Sequence, residues 1–504
     1  MAKSNNKSLS QQSLSGALWM FSSSGAQAIL RIVFSSVLAR LLTPSDFGIV
    51  TIATMITGIT EMFVQMGIGP AIVQSQNITD DHINSGFTFS ILTGLGITFI
   101  FLLVNPLIAS FFEMPELTNI LNILVWIFPL KMSSRVSYSL IQRKLQFKKL
   151  AGLDMVSYLI GFGAIGITLA YNGYGFSSLI WATLAQVAIN SILLFLVKPH
   201  SLKLRLNIAL IKPLLSTGKH YTLASIFNYL AMQVDYFLVG KLMGPAQLGF
   251  YNRAYSLMNT SNQLVGNVMD SILFAGFSKL QNDSSRKTSS LFKSYSLLFM
   301  TFLPATIIII LLAPELILIL LGPKWSQTIL PFQILTIGMI FRIGYKIGSS
   351  FAKGNGAAKD NAINQVFYFS LVGIAAYLGI LQGSIVYVAI YVDIALFITF
   401  VLSVRLAIKL SDFSWTFFLK SIKDGLILLI LFGILNSIFV LAIRDIGSTV
   451  VLTVILTMIL NLLFSLVFLK WIKSHTKEET FATLKSSYNT FIQRKSKKQT
   501  KTIV

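Results

Sequence analysis

The fold is decided by a stretch that occurs twice: Ala39-Arg40-Leu41-Leu42-Thr43-Pro44-Ser45-Asp46-Phe47-Gly48 and, 201 residues later, Gly240-Lys241-Leu242-Met243-Gly244-Pro245-Ala246-Gln247-Leu248-Gly249. In each copy a basic residue ends a long apolar run, a proline breaks the chain, and a glycine opens the next apolar run. Apolar segments surround both copies in a similar order. The repetition therefore predicts a chain made of two related halves.

The composition predicts a polytopic membrane protein. Of the 504 residues, 54% are hydrophobic and only 12% are charged, whereas an average soluble domain carries about 25% charged residues. The apolar residues fall in blocks of roughly 20, enough to cross about 30 Å of hydrocarbon. The first block contains Arg31 and has no small-residue cleavage site, so we interpret it as a retained helix.

Apolar runs between polar, proline or glycine breaks predict about fourteen transmembrane helices. The expected spans are 15–41, 47–69, 83–108, 117–140, 152–171, 176–197, 214–241, 247–275, 289–313, 326–351, 361–380, 384–408, 424–443 and 447–471.

The charges of the predicted loops indicate the topology, because cytoplasmic loops are rich in Lys and Arg. With the N-terminus inside, thirty of the 40 basic residues lie on inner segments and only four on outer ones. This asymmetry predicts that both termini are cytoplasmic. Topology and attraction to anionic lipids then explain most of the net charge of +22, and no nucleic-acid partner is expected.

The repeat has a geometry in this topology. Six predicted helices separate the two copies, so both copies join helices on the outer side and the halves have the same orientation. We expect an all-α fold of two six-helix lobes related by a pseudo-two-fold axis along the membrane normal. The lobes span 1–200 and 201–410, followed by two additional helices in 411–473 and a basic cytoplasmic tail, 474–504. The tail is either a partly amphipathic appendage or a solvated, disordered segment.

Charged residues inside the predicted spans are the functional candidates, because an ionisable group at membrane depth is costly unless it faces a wet cavity or a partner. Six are basic and four are acidic: Arg31, Lys131, Arg135, Arg253, Arg342 and Lys346, and Glu61, Asp235, Asp270 and Asp393. Within the fourth and tenth helices the basic residues are four apart, a spacing that places each pair on one helical face.

The basic set predicts a cationic cavity for a phosphate-bearing cargo, because the guanidinium fork donates two parallel hydrogen bonds to phosphate. The alternative is that these residues pair across helices or snorkel to an interface. The acidic set binds a coupling Na⁺ or H⁺, or pairs with the arginines; of the two, pairing is favoured. Arg40 and Lys241, aligned by the repeat, are expected at an outer gate.

Other chemistry is not indicated. The chain has no cysteine, so disulfides and thiolate metal sites are excluded. The four histidines lack metal-ligand spacing, and Ser216-Thr217-Gly218-Lys219 lacks the upstream glycine of a phosphate loop. No cofactor, no metal and no enzymatic activity are therefore predicted.

Several ordered motifs resemble one family. The first copy of the repeat, from Leu38, resembles the first loop of bacterial polysaccharide exporters, the branch of the multidrug/oligosaccharidyl-lipid/polysaccharide (MOP) superfamily that handles colanic and teichuronic acid type polymers. The further matching motifs are Met66-Gly67-Ile68-Gly69-Pro70-Ala71-Ile72-Val73-Gln74, Gln142-Arg143-Lys144-Leu145-Gln146-Phe147-Lys148-Lys149, Gly249-Phe250-Tyr251-Asn252-Arg253-Ala254-Tyr255, Phe277-Ser278-Lys279-Leu280-Gln281 and Leu321-Gly322-Pro323-Lys324-Trp325.

The resemblance implies two six-helix lobes around a central cationic cavity, with helices thirteen and fourteen outside and alternating access. It implies that the cargo is an undecaprenyl-diphosphate-linked oligosaccharide, flipped across the bacterial cytoplasmic membrane for surface polysaccharide synthesis. Arg253 lies within a matching motif, and Asp235 stands where relatives tend to carry an acidic residue. The other basic candidates rest on the membrane-depth argument. A partnership with a polysaccharide polymerase or other synthesis machinery is left open.

Two rival functions are weighed against a flippase. A cation-coupled multidrug exporter on the related fold would favour an acidic cavity, and the excess of Arg and Lys within the spans argues against it. A membrane enzyme such as a polymerase or glycosyltransferase would carry a long outer loop or a carboxylate cluster, and the predicted outer loops are short.

Overall fold

A computed structural model of the chain describes residues 25, 27–65, 69, 72–73, 78–208, 229–230, 232–260, 277, 284–411 and 414–475. Within these residues the secondary structure is helical and contains no strand. Among the described residues, eight helical segments are long and apolar enough to cross a membrane, and there are nine if one bent pair of helices is counted as a single span. The predicted all-α, multi-pass class is confirmed, whereas the count of fourteen is not, because several predicted spans fall partly outside the described ranges.

The helices are numbered here in chain order. They are α1 (27–41), α2 (Pro44–Gln65), α3 (Asp80–Phe112), α4 (Glu116–Leu124), α5 (Ile127–Ser133), α6 (Arg135–Arg143), α7 (Phe147–Tyr158), α8 (Ile167–Tyr171), α9 (Phe176–Val197), α10 (232–260), α11 (Ser284–Leu311), α12 (Ala313–Leu320), α13 (Ile329–Gly354), α14 (Ala358–Leu381), α15 (Ile385–Lys409), α16 (Trp415–Asp445) and α17 (Val450–His475).

Local signals set several of the helix ends. The extended residue Thr79 precedes α3, and its backbone N–H donates to His82 Nδ1 at 3.4 Å. After α3, Glu113 adopts a left-handed conformation with φ of 57°, and Pro115 follows, so the helix cannot continue. The Ser384 and Ser414 hydroxyls accept backbone N–H groups at the starts of α15 and α16.

A π-helical stretch, Leu159–Gly166, joins α7 to α8. Its glycines allow close packing: a Cβ on Gly161 would meet the backbone of α9 at Gln186, and one on Gly163 would meet the ring of Phe34 on α1. The wider π turn therefore lies where α7 and α8 approach two neighbouring helices, a setting typical of π-helices near functional sites.

The chain forms two compact units. The first comprises the described residues up to Lys287 together with those from Leu320 to 411, and the second comprises Thr288–Ile319 together with those from 414 onward. The predicted lobes, 1–200 and 201–410, follow the sequence repeat, whereas these two units follow contacts in the structure. The lobe boundaries therefore stay a prediction.

The second unit joins the last two long helices to α11 and α12. Gly425 on α16 lies against the Phe299 backbone of α11, so a larger residue there would not fit. Arg444 forms a bidentate pair with Glu315, with Nε–Oε1 2.8 Å and Nη2–Oε2 2.9 Å. These contacts give the added C-terminal helices a specific docking partner within the chain.

In the first unit the two copies of the repeated pattern pack reciprocally. A Cβ on Gly48 would overlap the carbonyl oxygen of Pro245, and a Cβ on Gly249 would overlap the carbonyl oxygen of Pro44. Gly244, with φ of +83°, interrupts α10 in the second copy at the place that corresponds to the loop before Pro44 in the first. The glycine and the proline of each copy thus contact the proline and the glycine of the other, as a local two-fold axis requires.

Candidate functional site

Two adjoining cavities in the first unit form the candidate site. They measure about 340 and 330 Å³. Arg31, Tyr158 and Thr183 line both of them, so the cavities share a wall built from α1, α7 and α9. Together they are large enough to hold a small polar group and part of a sugar attached to it.

The first cavity is mostly polar. Besides the shared residues it is lined by Gln27, Lys131, Ser134, Asp154, Gln186, Val187, Asn190 and Ser191. Its carboxylate is held in place, because Asn190 Nδ2 donates to Asp154 Oδ1 at 2.8 Å. Two cations thus face a single carboxylate, and the amide and hydroxyl groups around them can hydrogen-bond to sugar hydroxyls.

The second cavity places Arg253 opposite Arg31. Arg253 Nη1 donates to Ser35 Oγ at 2.6 Å and Nη2 donates to Asn252 Oδ1 at 2.8 Å, while the guanidinium lies 4.3 Å from the ring centre of Phe47. Its Nε is buried and has no hydrogen-bond partner in the described structure. These partners are neutral, so they orient the guanidinium without cancelling its charge.

Arg31 is held even more loosely. Its guanidinium carbon lies 5.9 Å from the ring centre of Tyr158, and the side chain is exposed. Within the described part of the chain it forms neither a hydrogen bond nor an ion pair. An anion in the shared wall would therefore meet Arg31, whose guanidinium packs near the Tyr158 ring, and Arg253, whose guanidinium is oriented by hydrogen bonds.

The predicted pairing of Lys131 with Arg135 differs from the structure. The segments Glu116–Ser133 and Arg135–Arg143 meet at an angle of 42°, so the two residues lie on different helices instead of one continuous face. Lys131 lines the first cavity, whereas Arg135 lies 5.4 Å from the ring centre of Tyr138 and lines neither cavity.

The bend between α5 and α6 has a physical cause. Ser191 Oγ on α9 donates to the Leu130 carbonyl at 2.8 Å, and Ser134 Oγ donates to the Lys131 carbonyl at 3.1 Å. Hydroxyls thus satisfy carbonyls near the bend, which is how helices at membrane depth tolerate an interruption.

Arg342 belongs to a separate buried network. Its Nη1 donates to Tyr255 Oη, and its guanidinium lies 4.6 Å from the centre of that ring. The carboxylate of Asp235, only 1% exposed, accepts from Tyr251 Oη at 3.0 Å and from the backbone N–H of Tyr236 at 2.9 Å. Neither Arg342 nor the partly buried Lys346 lines the two cavities, so the expected convergence of both basic pairs on one anion is not seen there.

Asp393 is buried against α13. Its Oδ2 accepts the backbone N–H of Gly338 at 3.0 Å, and only glycine leaves room at that position, because a Cβ there would overlap the carboxylate. Its Oδ1 has no partner among the described residues. Asp270 and the side chain of Glu61 lie outside the described part of the chain.

The predicted gate residues lie at the end where the repeats meet. Lys241 Nζ pairs with Glu113 Oε1 at 2.6 Å, and this hydrogen bond and charge lower the pKa of the exposed Glu113 carboxyl. Arg40 takes part through its backbone, because Lys324 Nζ donates to the carbonyls of Arg40 at 2.8 Å and Leu42 at 2.6 Å.

Trp325 completes this closed end. Its Nε1 donates to the Ala39 carbonyl at 2.9 Å, and its ring contacts Phe47 and Phe250, with centres 5.5 and 5.9 Å apart. It therefore touches the first copy of the repeat and the residue that directly follows the second copy. In the sequence, Lys324 and Trp325 stand out only as parts of a family motif, without a predicted contact.

Asp154 was also missed as a site residue. It lies inside the predicted span 152–171, so it meets the same criterion, a charge within a span, as the ten candidates. Among the described residues, no cluster of His, Cys, Asp or Glu side chains is arranged to hold a metal ion.

Comparisons with known proteins identify the family and the fold of the chain. The profile of a family described as polysaccharide biosynthesis proteins matches residues 37–330, more than half of the chain. The chain belongs to this family. The sequence is also 25% identical over 405 residues to the succinoglycan biosynthesis transport protein ExoT of Rhizobium meliloti (strain 1021), covering 77% of this chain and 76% of ExoT.

Two solved structures share the fold. The lipid II flippase MurJ in an inward closed conformation gives a TM-score of 0.68 at 17% identity, covering 90% of this chain and 99% of MurJ. An inward-facing multidrug resistance MATE transporter of the MOP superfamily gives 0.60 at 16% identity, covering 76% and 95%. At these identities the likeness concerns the fold alone, and it confirms the predicted MOP architecture.

Proposed function

We propose that this chain is a flippase that moves undecaprenyl-diphosphate-linked oligosaccharide repeat units across the bacterial cytoplasmic membrane for surface polysaccharide synthesis. The observation that carries the proposal is the shared wall of the two cavities: Arg31 and Arg253 line the second cavity together, and neither forms an ion pair with a described residue. Membership in a polysaccharide biosynthesis family supports the cargo class, as do relatives named as a biosynthesis transport protein and a lipid II flippase. The protein transports its cargo and catalyses no reaction.

The mechanism follows from the polarity of the cargo. A diphosphate with sugars is too polar to enter hydrocarbon unpaired. Arg253 and Arg31 bind the diphosphate through the second cavity, and Lys131 with the amides of the first cavity binds the adjoining sugars. The lipid tail stays in the bilayer. Separation of the two repeat copies at the closed end then releases the headgroup on the opposite side.

Two contacts hold the closed end shut in this mechanism. One is the hydrogen bond from Lys324 to the backbone carbonyl of Arg40, and the other is the ion pair between Lys241 and Glu113. We place the gate on the outer side and both termini in the cytoplasm, following the distribution of basic loops. The coupling ion, Na⁺ or H⁺, stays open. The internal bonds of Asp235 to Tyr251 and of Asp393 to Gly338 support the interpretation that these carboxylates are structural.

The test is a deletion strain complemented with matched variants. Loss of the protein should leave a lipid-linked oligosaccharide accumulating on the inner leaflet, measured by mass spectrometry of extracted lipids and by surface polymer. Arg253→Gln should fail to restore polymer at a normal membrane level of protein, whereas Arg405→Gln, at an exposed position on α15, should restore it. Full polymer from Arg253→Gln would overturn the site.

The rival multidrug exporter makes a different prediction. Its deletion would raise sensitivity to amphipathic cationic drugs and leave surface polymer unchanged. The cationic cavity wall disfavours a cationic cargo, because like charges repel at short range in a poorly solvated site.

A further inference from the structure

The segment Leu202–Ile208, which follows α9, is non-helical as far as Asn207, and every one of its residues is exposed. It alternates strictly: Leu202, Leu204, Leu206 and Ile208 are separated by Lys203, Arg205 and Asn207. The four aliphatic side chains are 53%, 71%, 45% and 68% exposed. The backbone N–H of Arg205 donates to the Lys203 carbonyl at 3.0 Å, so a tight turn is centred on Leu204. Exposed aliphatic side chains and exposed basic or polar ones thus alternate along the segment, and we call them its leucine face and its basic face.

Three contacts fix where this segment lies. Ser137 Oγ donates to the Lys198 carbonyl at 2.8 Å. The ring of His200 packs edge-on against Phe87 and Phe195, with centres 5.1 and 5.5 Å apart. At the far end, the backbone N–H of Asn207 donates to Ser85 Oγ at 3.2 Å.

These contacts lie at helix ends that mark a membrane boundary. The helices Asp80–Phe112 and Phe176–Val197 are each long and apolar enough to cross a membrane. The segment is attached to the first two turns of the former, through Ser85 and Phe87, and to the last turn of the latter, through Phe195. It therefore runs along the level where two spans end and the lipid headgroups begin.

The chemistry of the two faces fits that level. A row of exposed aliphatic side chains is unfavourable in water but can be buried at the junction of headgroups and acyl chains. Lysine and arginine on the basic face are attracted to anionic headgroups, whose phosphates accept their hydrogen bonds. No described residue forms an ion pair with Lys203 or Arg205 in the structure, so both remain available to lipid.

We propose that Leu202–Ile208 is an interfacial anchor, with its leucines inserted below the headgroups and Lys203 and Arg205 bound to anionic phospholipid. The anchor would hold the connection between the two predicted lobes at the membrane surface. This inference requires only that the chain spans a membrane and is independent of the cargo.

The absence of cysteine from the chain allows a direct test. Single-cysteine variants Leu204→Cys and Arg205→Cys of the full chain are labelled with an NBD fluorophore and reconstituted into vesicles of phosphatidylcholine with phosphatidylglycerol. The probe at 204 should emit at shorter wavelength and be quenched by spin-labelled lipid. The probe at 205, one residue away, should be quenched by aqueous iodide. Aqueous quenching at both positions would overturn the anchor and would favour a protein partner on the leucine face.

The lipid charge is tested separately. Vesicles of phosphatidylcholine alone should weaken spin-label quenching at position 204, and so should high salt. The double substitution Lys203→Gln with Arg205→Gln should remove this dependence on phosphatidylglycerol, whereas the pair Lys359→Gln with Arg405→Gln, at exposed positions elsewhere in the unit, should retain it. Equal quenching of the otherwise unsubstituted 204 probe in both vesicle types would overturn the assignment of anionic lipid.

Discussion

Arg253 and Arg342 lie in the same half of the chain and satisfy the same sequence criterion, yet the structure gives them different surroundings. Arg253 hydrogen-bonds to two neutral side chains and lines a cavity. Arg342 is 8% exposed, is bonded to Tyr255, and lies close enough to Asp235 and Asp393 to interact electrostatically with both. We therefore interpret Arg253, which lines a cavity, as a binding residue, and Arg342, which lies near two buried carboxylates and lines neither cavity, as a structural residue.

The largest effect should follow from removing the structural arginine. Arg342→Met removes a buried guanidinium that hydrogen-bonds to Tyr255 and interacts electrostatically with Asp235 and Asp393, and removing one member of such a buried cluster typically costs about 3–5 kcal/mol. We expect a large fall in the thermal unfolding midpoint of the detergent-purified protein. Combining Arg342→Met with Asp235→Asn should recover part of it. An unchanged midpoint in the single variant would place Arg342 with Arg253 instead.

Removing the cavity arginine should affect transport and leave folding intact. A charge-assisted hydrogen bond contributes about 1.5–3 kcal/mol, so Arg253→Gln should lower the rate of flipping in reconstituted vesicles by about 10- to 100-fold. Arg253→Lys keeps the charge but loses the two-pronged guanidinium, so its flipping rate should lie between that of Arg253→Gln and that of the natural chain. The comparison with Arg342 would fail if Arg253→Gln lost stability as well.

The closed end can be opened without touching either arginine. Gly48→Ala places a methyl group on the Pro245 carbonyl, and overpacking of this kind costs about 1–3 kcal/mol. A cysteine at Thr51, which lines the second cavity, should then react faster with an impermeant maleimide added from the side of the repeat hairpins. Gly249→Ala should act equally, because the contact is reciprocal. Gly96→Ala, with open space around it, is the control.

The bend between α5 and α6 gives Lys131 and Arg135 different surroundings, and the next prediction compares them. Lys131→Gln should reduce flipping by about fivefold, the equivalent of about 1 kcal/mol, because Lys131 lines the first cavity. Arg135→Gln should leave the rate near that of the natural chain, since Arg135 faces neither cavity. Equal losses in both variants would mean that the helix straightens during transport.

The smallest effect concerns the exposed pair Glu113–Lys241. Because the Glu113 pKa is lowered in the folded chain, the pair stabilises the protein above the ordinary glutamate value of 4.5 and its contribution is lost as the pH falls through the lowered value. Glu113→Gln should flatten the acid side of the unfolding midpoint plotted against pH, by a small amount because surface pairs contribute little.

Much of the architecture could be predicted because it depends on composition and periodicity. The span 176–197 coincides with α9, and the two copies of the repeat meet as equal parts of one contact. The bend at Ser134 could not be predicted, since it depends on the hydroxyl of Ser191 from a helix more than fifty residues away.

The site was harder to predict than the fold. Burial at membrane depth selected Arg253 and Arg342 equally, because the argument counts charges and does not include their partners. Only the three-dimensional arrangement of Tyr255 and Asp235 separates them. Lys324 donates hydrogen bonds to the backbone carbonyls of Arg40 and Leu42. Every residue type carries such a carbonyl, so the sequence at these two positions gives no sign of the contact.

The π-helical stretch Leu159–Gly166 also constrains what insertions and deletions the chain can accept. Each i→i+5 turn holds an additional residue compared with an α-turn, and one residue corresponds to about 100° of rotation in an α-helix. Deleting a single residue between Leu159 and Gly166 would let the stretch revert to α-helix while turning Asp154 and Tyr158 relative to α8. A one-codon deletion in this stretch would thereby dismantle the shared cavity wall without removing Arg31, Tyr158 or Thr183.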